Sequence, residues 1–336
     1  MDIWRSADAF RRACDEARHR GERVALVPTM GALHHGHQTL VTQARKHASF
    51  VAVSVFVNPT QFGPNEDFAR YPRDLDGDAQ KSLAAGANGV FAPPANEMYP
   101  PGDQTRVRVG PLADPLCGPH RPGHFEGVAT VVAKLLILAG PCVALFGRKD
   151  YQQLKVIERI VKDLFIPVEI VGVQTVREKD GLAMSSRNAY LSPEARRNAV
   201  AIPRGLSDAA QAFAAGERRA GHLVRLVRAH VEPIADSIDY IDAANPDLKP
   251  ELLRMQNAGA QAIMPWSVNA GFLARLCNTR GQMGWDVPIV GQTTLGSGQT
   301  KALLENLETQ ALTQAVQAAN ENLVSFLRAQ TRAPSQ

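Results

Sequence analysis

Two histidines three residues apart, His34 and His37, lie in the stretch PTMGALHHGHQTL (28–40) between an apolar run and a helical pattern, with Gly31 and Gly36 beside them. Glycines let a backbone approach a ligand closely, and a helix start offers unpaired N–H groups and the positive end of its dipole. Imidazoles placed there can donate to phosphate oxygens, with His37 better sited to stabilise charge building on an α-phosphate and its pyrophosphate leaving group. A pair of surface histidines at a helix start would look the same in isolation. Zinc binding by His34, His35 and His37 is the weaker reading, because no Cys or carboxylate at ligand spacing joins them.

Three further stretches carry polar groups of complementary chemistry. VNPTQFGPNEDFARYPRDLDGD places Asn58 and Gln61 just past an apolar run, where a Pro-containing turn would aim two uncharged amides at a ligand bearing hydroxyls and a carboxylate. Asn-Pro is also ordinary turn chemistry. Asp74, Asp76 and Asp78 could hold Mg²⁺ through water, or serve only as partners of a helix dipole. FGRKDYQQLK (146–155) offers Lys149 as a point charge for phosphate, Asp150 as a helix cap or ribose contact, and Gln153 one turn into the following helix. GLAMSSRN (181–188) is a polar loop whose Ser185, Ser186 and Arg187 would form a mobile clamp on a triphosphate. Each stretch alone is also readable as a solvated loop.

The elements that must position these groups follow from periodicity. RVALV (23–27), FVAVSVFV (50–57), GVFAP, CVALF and VEIVGV read as buried strands. Between them run helical patterns at 37–48, near 74–86, in GVATVVAKLLILAG and through YQQLKVIERIVKDL. Alternation of this kind implies an α/β, Rossmann-like doubly wound parallel sheet, whose ligands bind beyond the carboxyl ends of the strands. The motif-rich loops fall at those ends, which favours a shared site over separate solvated loops. Beyond 175 the texture changes to helices around 194–215 and 217–232 and a strand-like SIDYIDA, read as a second, smaller α+β domain spanning 176–250. Residues 251–336 form an atypical tail ending in a long helical pattern at 301–328.

Composition narrows the setting. Of 336 residues 45% are hydrophobic and 21% charged, enough for a full core and more than one domain. The net charge of +4 comes from 37 basic and 33 acidic residues dispersed along the chain, so nucleic acid and membrane surfaces are not expected partners. Four scattered cysteines point to reduced thiols, and the charged, helix-like N-terminus lacks an apolar export segment, so a cytoplasmic protein is expected.

In order and spacing, PTMGALHHGH, VNPTQF, YPRDLDGD, RPGHFEGVATVVAKLL, FGRKDYQQ and DGLAMSSRNAYLS resemble the pantothenate synthetase (pantoate–β-alanine ligase) family over roughly residues 1–250. The resemblance implies a HIGH-type nucleotidyl-transferase fold, with HHGH at the HIGH position and MSSR at that of the KMSKS loop. It implies two steps: ATP and (R)-pantoate give pantoyl adenylate and pyrophosphate, then β-alanine displaces AMP to give pantothenate, with Mg²⁺ required. Carried over, Met30, Gly31, Ala32, Leu33, His34, His35, Gly36 and His37 form the ATP cradle, with His37 the proton donor. Gln61 and Gln153 bind pantoate, Gln61 also neighbours β-alanine, and Asn58 and Tyr71 belong to the pantoate-side wall. Gly147, Arg148, Lys149 and Asp150 contact the nucleotide, Val176 packs near adenine, and Met184, Ser185, Ser186 and Arg187 form the flexible phosphate clamp. A homodimer is implied as well. The tail departs from the family, and part of it faintly resembles receptors for branched-chain amino acids. Two other readings remain: a non-catalytic sensor of nucleotide or small acid, and another adenylyl transferase sharing the HxGH cradle.

Overall fold

The computed structural model describes residues 2–110 and 112–242, so the tail from 251, with its receptor-like fragment and long helical pattern, lies outside the described residues. The order of elements is β1 (Asp2–Trp4), α1 (Ala7–His19), β2 (Val24–Thr29), α2 (His35–Ala44), β3 (Phe50–Val55), α3 (Leu75–Ala84), β4 (Gly89–Phe91) and α4 (Ala95–Met98). There follow α5 (His124–Ala139), β5 (Cys142–Gly147), α6 (Tyr151–Asp163), β6 (Val168–Val173), α7 (Pro193–Asn198), α8 (Ala201–Ala214) and α9 (Ala220–Val231). The six strands make one sheet in the order β1-β4-β3-β2-β5-β6. All of its pairings are parallel. The sheet was expected; β1 was not, because a three-residue strand beginning with Asp carries too little alternation to be seen.

Parallel strands bury both faces, and period-two alternation divides their side chains between two cores. Val24, Leu26, Phe50 and Ala52 pack with Phe10, Leu136 and Ile157 on the face of α1, α5 and α6. Ala25, Val27, Val51 and Val53 pack with Leu40, Val41 and Ala79 on the face of α2 and α3. From β2 the chain winds outward through β3 to β4, then returns to place β5 on the other side of β2. The crevice between the carboxyl ends of β2 and β5 is therefore the topological switch point, where doubly wound sheets bind ligands.

Several expected boundaries shift for local reasons. The helix expected from 37 begins at His35, since the His34 side chain caps it. The helix expected over 194–215 is two, because the chain leaves α7 at Ala199 and re-enters at Ala201. The strand expected at 237–243 is absent among the described residues 237–242, where no ladder pairing forms. Cys14, Cys117 and Cys142 are free thiols, as expected, and Cys277 lies outside the described residues.

One contact between elements fixes a loop at the site. A Cβ on Gly127 of α5 would lie 2.4 Å from the Thr60 carbonyl oxygen and 2.7 Å from the Gln61 Cα. The helix and the turn at 59–61 thus touch backbone to backbone. Gly127→Ala is expected to destabilise the fold by about 1–3 kcal/mol through overpacking, measured as a lowered urea midpoint at constant m-value.

Candidate active site

At the end of β2 the chain makes a turn whose polar backbone is satisfied from within. Thr29 Oγ1 donates to the Ser54 carbonyl (2.7 Å) and accepts from the Gly31 N–H (3.2 Å). Gly31 and Ala32 are both left-handed, with φ of 86° and 51°. Their turn directs the Ala32 and Leu33 N–H groups onto the two carboxylate oxygens of Asp78, at 2.8 and 2.6 Å. His34 then caps α2, its Nδ1 accepting from the Gly36 N–H (3.1 Å), while His37 Nδ1 accepts from the His34 N–H (3.3 Å). Gly36 is required here, since a Cβ would sit 2.9 Å from His34 Nδ1. The expectation that free backbone amides of this loop meet a phosphate is therefore corrected for Gly31, Ala32, Leu33, His34 and Gly36, whose N–H groups internal acceptors hold, and side chains take their place as donors to the crevice.

Those side chains are two imidazoles with ring centroids 4.1 Å apart. In each ring Nδ1 accepts a hydrogen bond, which puts the proton of the neutral form on Nε2. Burial lowers the pKa of His34, and the nearby Lys149 and Lys81 lower it further. For His37 burial, then His34 and Lys149, push it down to about 3. Both rings are thus neutral Nε2–H donors near pH 7.

β3 ends in a turn at Pro59–Gln61 capped by Asn58. Buried Asn58 donates through Nδ2 to Gln61 Oε1 (3.0 Å) and to the Gly127 carbonyl (3.2 Å). Its Oδ1 accepts from the Tyr99 hydroxyl (2.8 Å) and Thr60 Oγ1 (3.0 Å). With its oxygen held, Gln61 turns Nε2 toward Met30, 3.1 Å from the sulfur. The turn reading of Asn58 is realised, while its amide, expected to be aimed at a ligand, is engaged by the protein and orients that of Gln61.

After β5, Lys149 Nζ lies 3.3 Å from Asp150 Oδ1. Asp150 makes no side-chain cap to α6, so the capping alternative is not realised. The loop beyond β6 returns across the crevice: the Met184 N–H donates to the Val176 carbonyl (3.0 Å), and Ser186 Oγ donates to the Ala32 carbonyl (3.1 Å). Arg187 is paired with Asp67 through two bonds of 3.0 and 2.8 Å and lies over the Tyr71 ring.

One cavity gathers the expected groups. Met30, His34, Gly36, His37, Asn58 and Gln61 line it from β2 and β3. Gly147, Lys149, Asp150, Gln153 and Val176 line it from β5 and β6, and Tyr71 and the loop Met184, Ser185, Ser186 and Arg187 complete it. Five expected members of the ATP cradle and loop do not reach it. Gly31 and Leu33 are buried beneath, Ala32 offers only backbone that Asp78 and Ser186 already hold, and His35 points to solvent. Arg148 is turned outward, its Nε donating to the Gly172 carbonyl (3.1 Å).

Sequence reasoning missed Arg121 and His124, which also line the cavity. His124 Nδ1 faces the Gln61 carbonyl at 2.9 Å, so its Nε2 accepts from Arg121 (3.0 Å), and Arg121 grips Glu66 through bonds of 2.8 and 2.6 Å. The signal was RPGHFEG, which runs into the first turn of α5 and carries the resemblance without an assigned chemistry. Mg²⁺ ligation by the three aspartates is not supported: Asp74 caps α3 through the Gly77 N–H, Asp78 is taken by backbone, and no metal-holding cluster occurs among the described residues.

Comparisons place this arrangement in a known context. The family model described as pantoate-beta-alanine ligase matches residues 2–278, further than the 250 residues read from motifs. The pantothenate synthetase of Myxococcus xanthus is 55% identical over 231 residues, covering 68% of this chain and 79% of that protein. That of Moorella thermoacetica is 47% identical over 270 residues, covering 80% and 95%. The crystal structure of pantothenate synthetase from Thermus thermophilus matches with a TM-score of 0.68 at 48% identity, over 71% of this chain and 86% of that one. The pantoate-beta-alanine ligase of Francisella tularensis, complexed with beta-gamma ATP and beta-alanine, matches with a TM-score of 0.59 at 34% identity, over 68% and 86%. With its parallel sheet, its imidazole pair at the switch point and this extent of similarity, the chain belongs to the pantoate–beta-alanine ligase family.

Proposed function

We propose that the protein joins (R)-pantoate to β-alanine at the expense of ATP, through pantoyl adenylate. The observation that carries this reading is the convergence of His34, His37, Gln61, Lys149 and Gln153 on one cavity at the switch point of the sheet. In the first step a pantoate carboxylate oxygen attacks the α-phosphorus and pyrophosphate leaves in line. In the second the β-alanine amine attacks the acyl carbon of the adenylate, the amide bond forms, and AMP departs with the electron pair of the broken C–O bond.

Positioning and charge neutralisation supply most of the catalysis in such displacements. His34 and His37 donate through Nε2–H to the α-phosphate and the departing oxygen as neutral imidazoles. Lys149 and Arg187 supply the positive charge, and Ser185 and Ser186 hydrogen-bond the polyphosphate. Gln61, held by Asn58, presents its amide hydrogens to pantoate, with Gln153 opposite and Tyr71 on the same wall. Gly147 and Asp150 border the nucleotide, and Val176 flanks adenine. Mg²⁺ enters as part of the MgATP substrate. The same reading assigns 1–175 as the nucleotide and pantoate domain and 176–250 as the lid, in a cytoplasmic homodimer. No helix among the described residues is long and apolar enough to cross a membrane.

Incubating the protein with MgATP, pantoate and β-alanine is expected to yield AMP and pantothenate in equal amounts, and no pantoate-dependent AMP from folded protein would reject the reading. His37→Ala is expected to lower kcat of adenylation by about 10²–10³, followed by pantoate-dependent ATP–pyrophosphate exchange. A second outcome concerns pH. Because folding lowers the His37 pKa to about 3 from 6.5, the unfolded chain binds the extra proton between those values. Stability of the ligand-free protein is thus complete above about pH 6.5 and falls as pH drops toward 3. Urea unfolding between about pH 7 and 5 should show this slope, and His37→Gln should flatten it.

A further inference from the structure

We propose that Asp78 is a positioning residue that sets the turn carrying the imidazoles and the docking point of the 183–188 loop, an inference that rests on the function proposed above. Asp78 is 1% exposed, and its carboxylate makes no salt bridge among the described residues. Its polar partners are backbone: Oδ2 takes the Ala32 N–H and Oδ1 the Leu33 N–H. Successive N–H groups in a left-handed turn form an anion-binding concavity of the kind that holds phosphates elsewhere. Here the concavity is filled by a carboxylate from the same chain, and a Cβ on Gly31 would lie 2.8 Å from Oδ2, so the turn is wrapped closely around it. A nucleotide phosphate is therefore kept out of the turn and left to Nε2–H groups and cations.

The peptide joining Ala32 to Leu33 is held at both ends. Its N–H donates to Asp78 and its carbonyl accepts the Ser186 hydroxyl at 3.1 Å. A carboxylate on the N–H side polarises the amide and strengthens the carbonyl as an acceptor. Asp78 thereby acts on the clamp loop through one peptide unit, although it belongs to α3 on the far side of the turn. The next residue is His34, so a rotation of this peptide also redirects both imidazoles.

Asp78→Asn keeps the shape but sets an NH₂ group against one of the two N–H donors. It is expected to raise KM for ATP and lower kcat of adenylation, with kcat/KM for ATP down by about tenfold or more, since a buried donor is left facing a donor. KM for β-alanine stays within about twofold, and amide hydrogens of residues 185–188 exchange faster. Asp78→Ala, which empties the concavity, is expected to regain activity when formate is added at tens of millimolar, whereas the parent does not respond. Parent-like constants in the Asn variant, a uniform loss toward all three substrates that follows a loss of folded protein, or a folded Ala variant that formate does not rescue would each overturn the proposal. ATP calorimetry and hydrogen exchange on the same variants do not require turnover. A parent without activity but with these shifts would sink the proposed function and leave the role of Asp78 standing.

Discussion

A strand that ends in two left-handed residues turns adjacent N–H groups to one side, and buried N–H groups need acceptors. At the end of β2 that acceptor is the Asp78 carboxylate. Once it is in place the rest of the loop follows in a chain of local bonds: Thr29 holds Gly31, His34 holds Gly36, and His37 holds the His34 amide. No backbone donor of these is left over for a ligand. The imidazole tautomers are a by-product of this closure, because each ring gives up its Nδ1 lone pair to the backbone and must keep its proton on the side facing the crevice.

The charge pattern of the site follows from the same closure. Half-buried imidazoles close to each other and to Lys149 cannot readily hold protons, so positive charge resides on side chains with long, flexible stems. One of these, Arg187, is already engaged with Asp67, and that pairing holds the Asp67 carboxyl below its usual range. Solvent-accessible pairs of this type are worth at most about 1 kcal/mol, small beside what a polyphosphate offers a guanidinium. The pair can hold the loop in register before substrate arrives without competing seriously once it does. On the opposite wall the arrangement is different: Arg121 is tied to both Glu66 and His124, so it braces the Gln61 backbone through the histidine.

Much of this was legible in the residues themselves. Five of the six strands among the described residues are apolar runs visible in the sequence, and the polar stretches follow them at intervals that a parallel sheet gathers. Asn58, Gln61, Lys149 and Gln153 line one cavity because each sits within a few residues of a strand end. What could not be read was the accounting between distant segments. Nothing in PTMGALHHGH announces that its amides are satisfied by a carboxylate 46 positions away. Nor could a helix pattern containing Gly127 reveal that the glycine exists to let Thr60 approach. β1 escaped notice for a different reason, since three residues at an edge carry no periodicity. The break between α7 and α8 did leave a signal that was not used, since Asn198 and Val200 are weak helix formers and Pro203 fits only the first turn of a new helix.

The strand order also bears on how the chain acquires its shape as it is synthesised. Among the described residues, the strand nearest the N-terminal side, β1, pairs in the sheet with β4, and the central β2 is flanked on one side by β5. During elongation from the N-terminus, β1 must wait unpaired until residue 91 has emerged, and the floor of the crevice stays open until residue 147. Pairings of such long sequence separation form slowly and leave apolar edges uncovered meanwhile. A nascent chain interrupted before β5 would carry the imidazole turn without the strand beside it, leaving one edge of β2 with unpaired backbone groups open to a wrong partner.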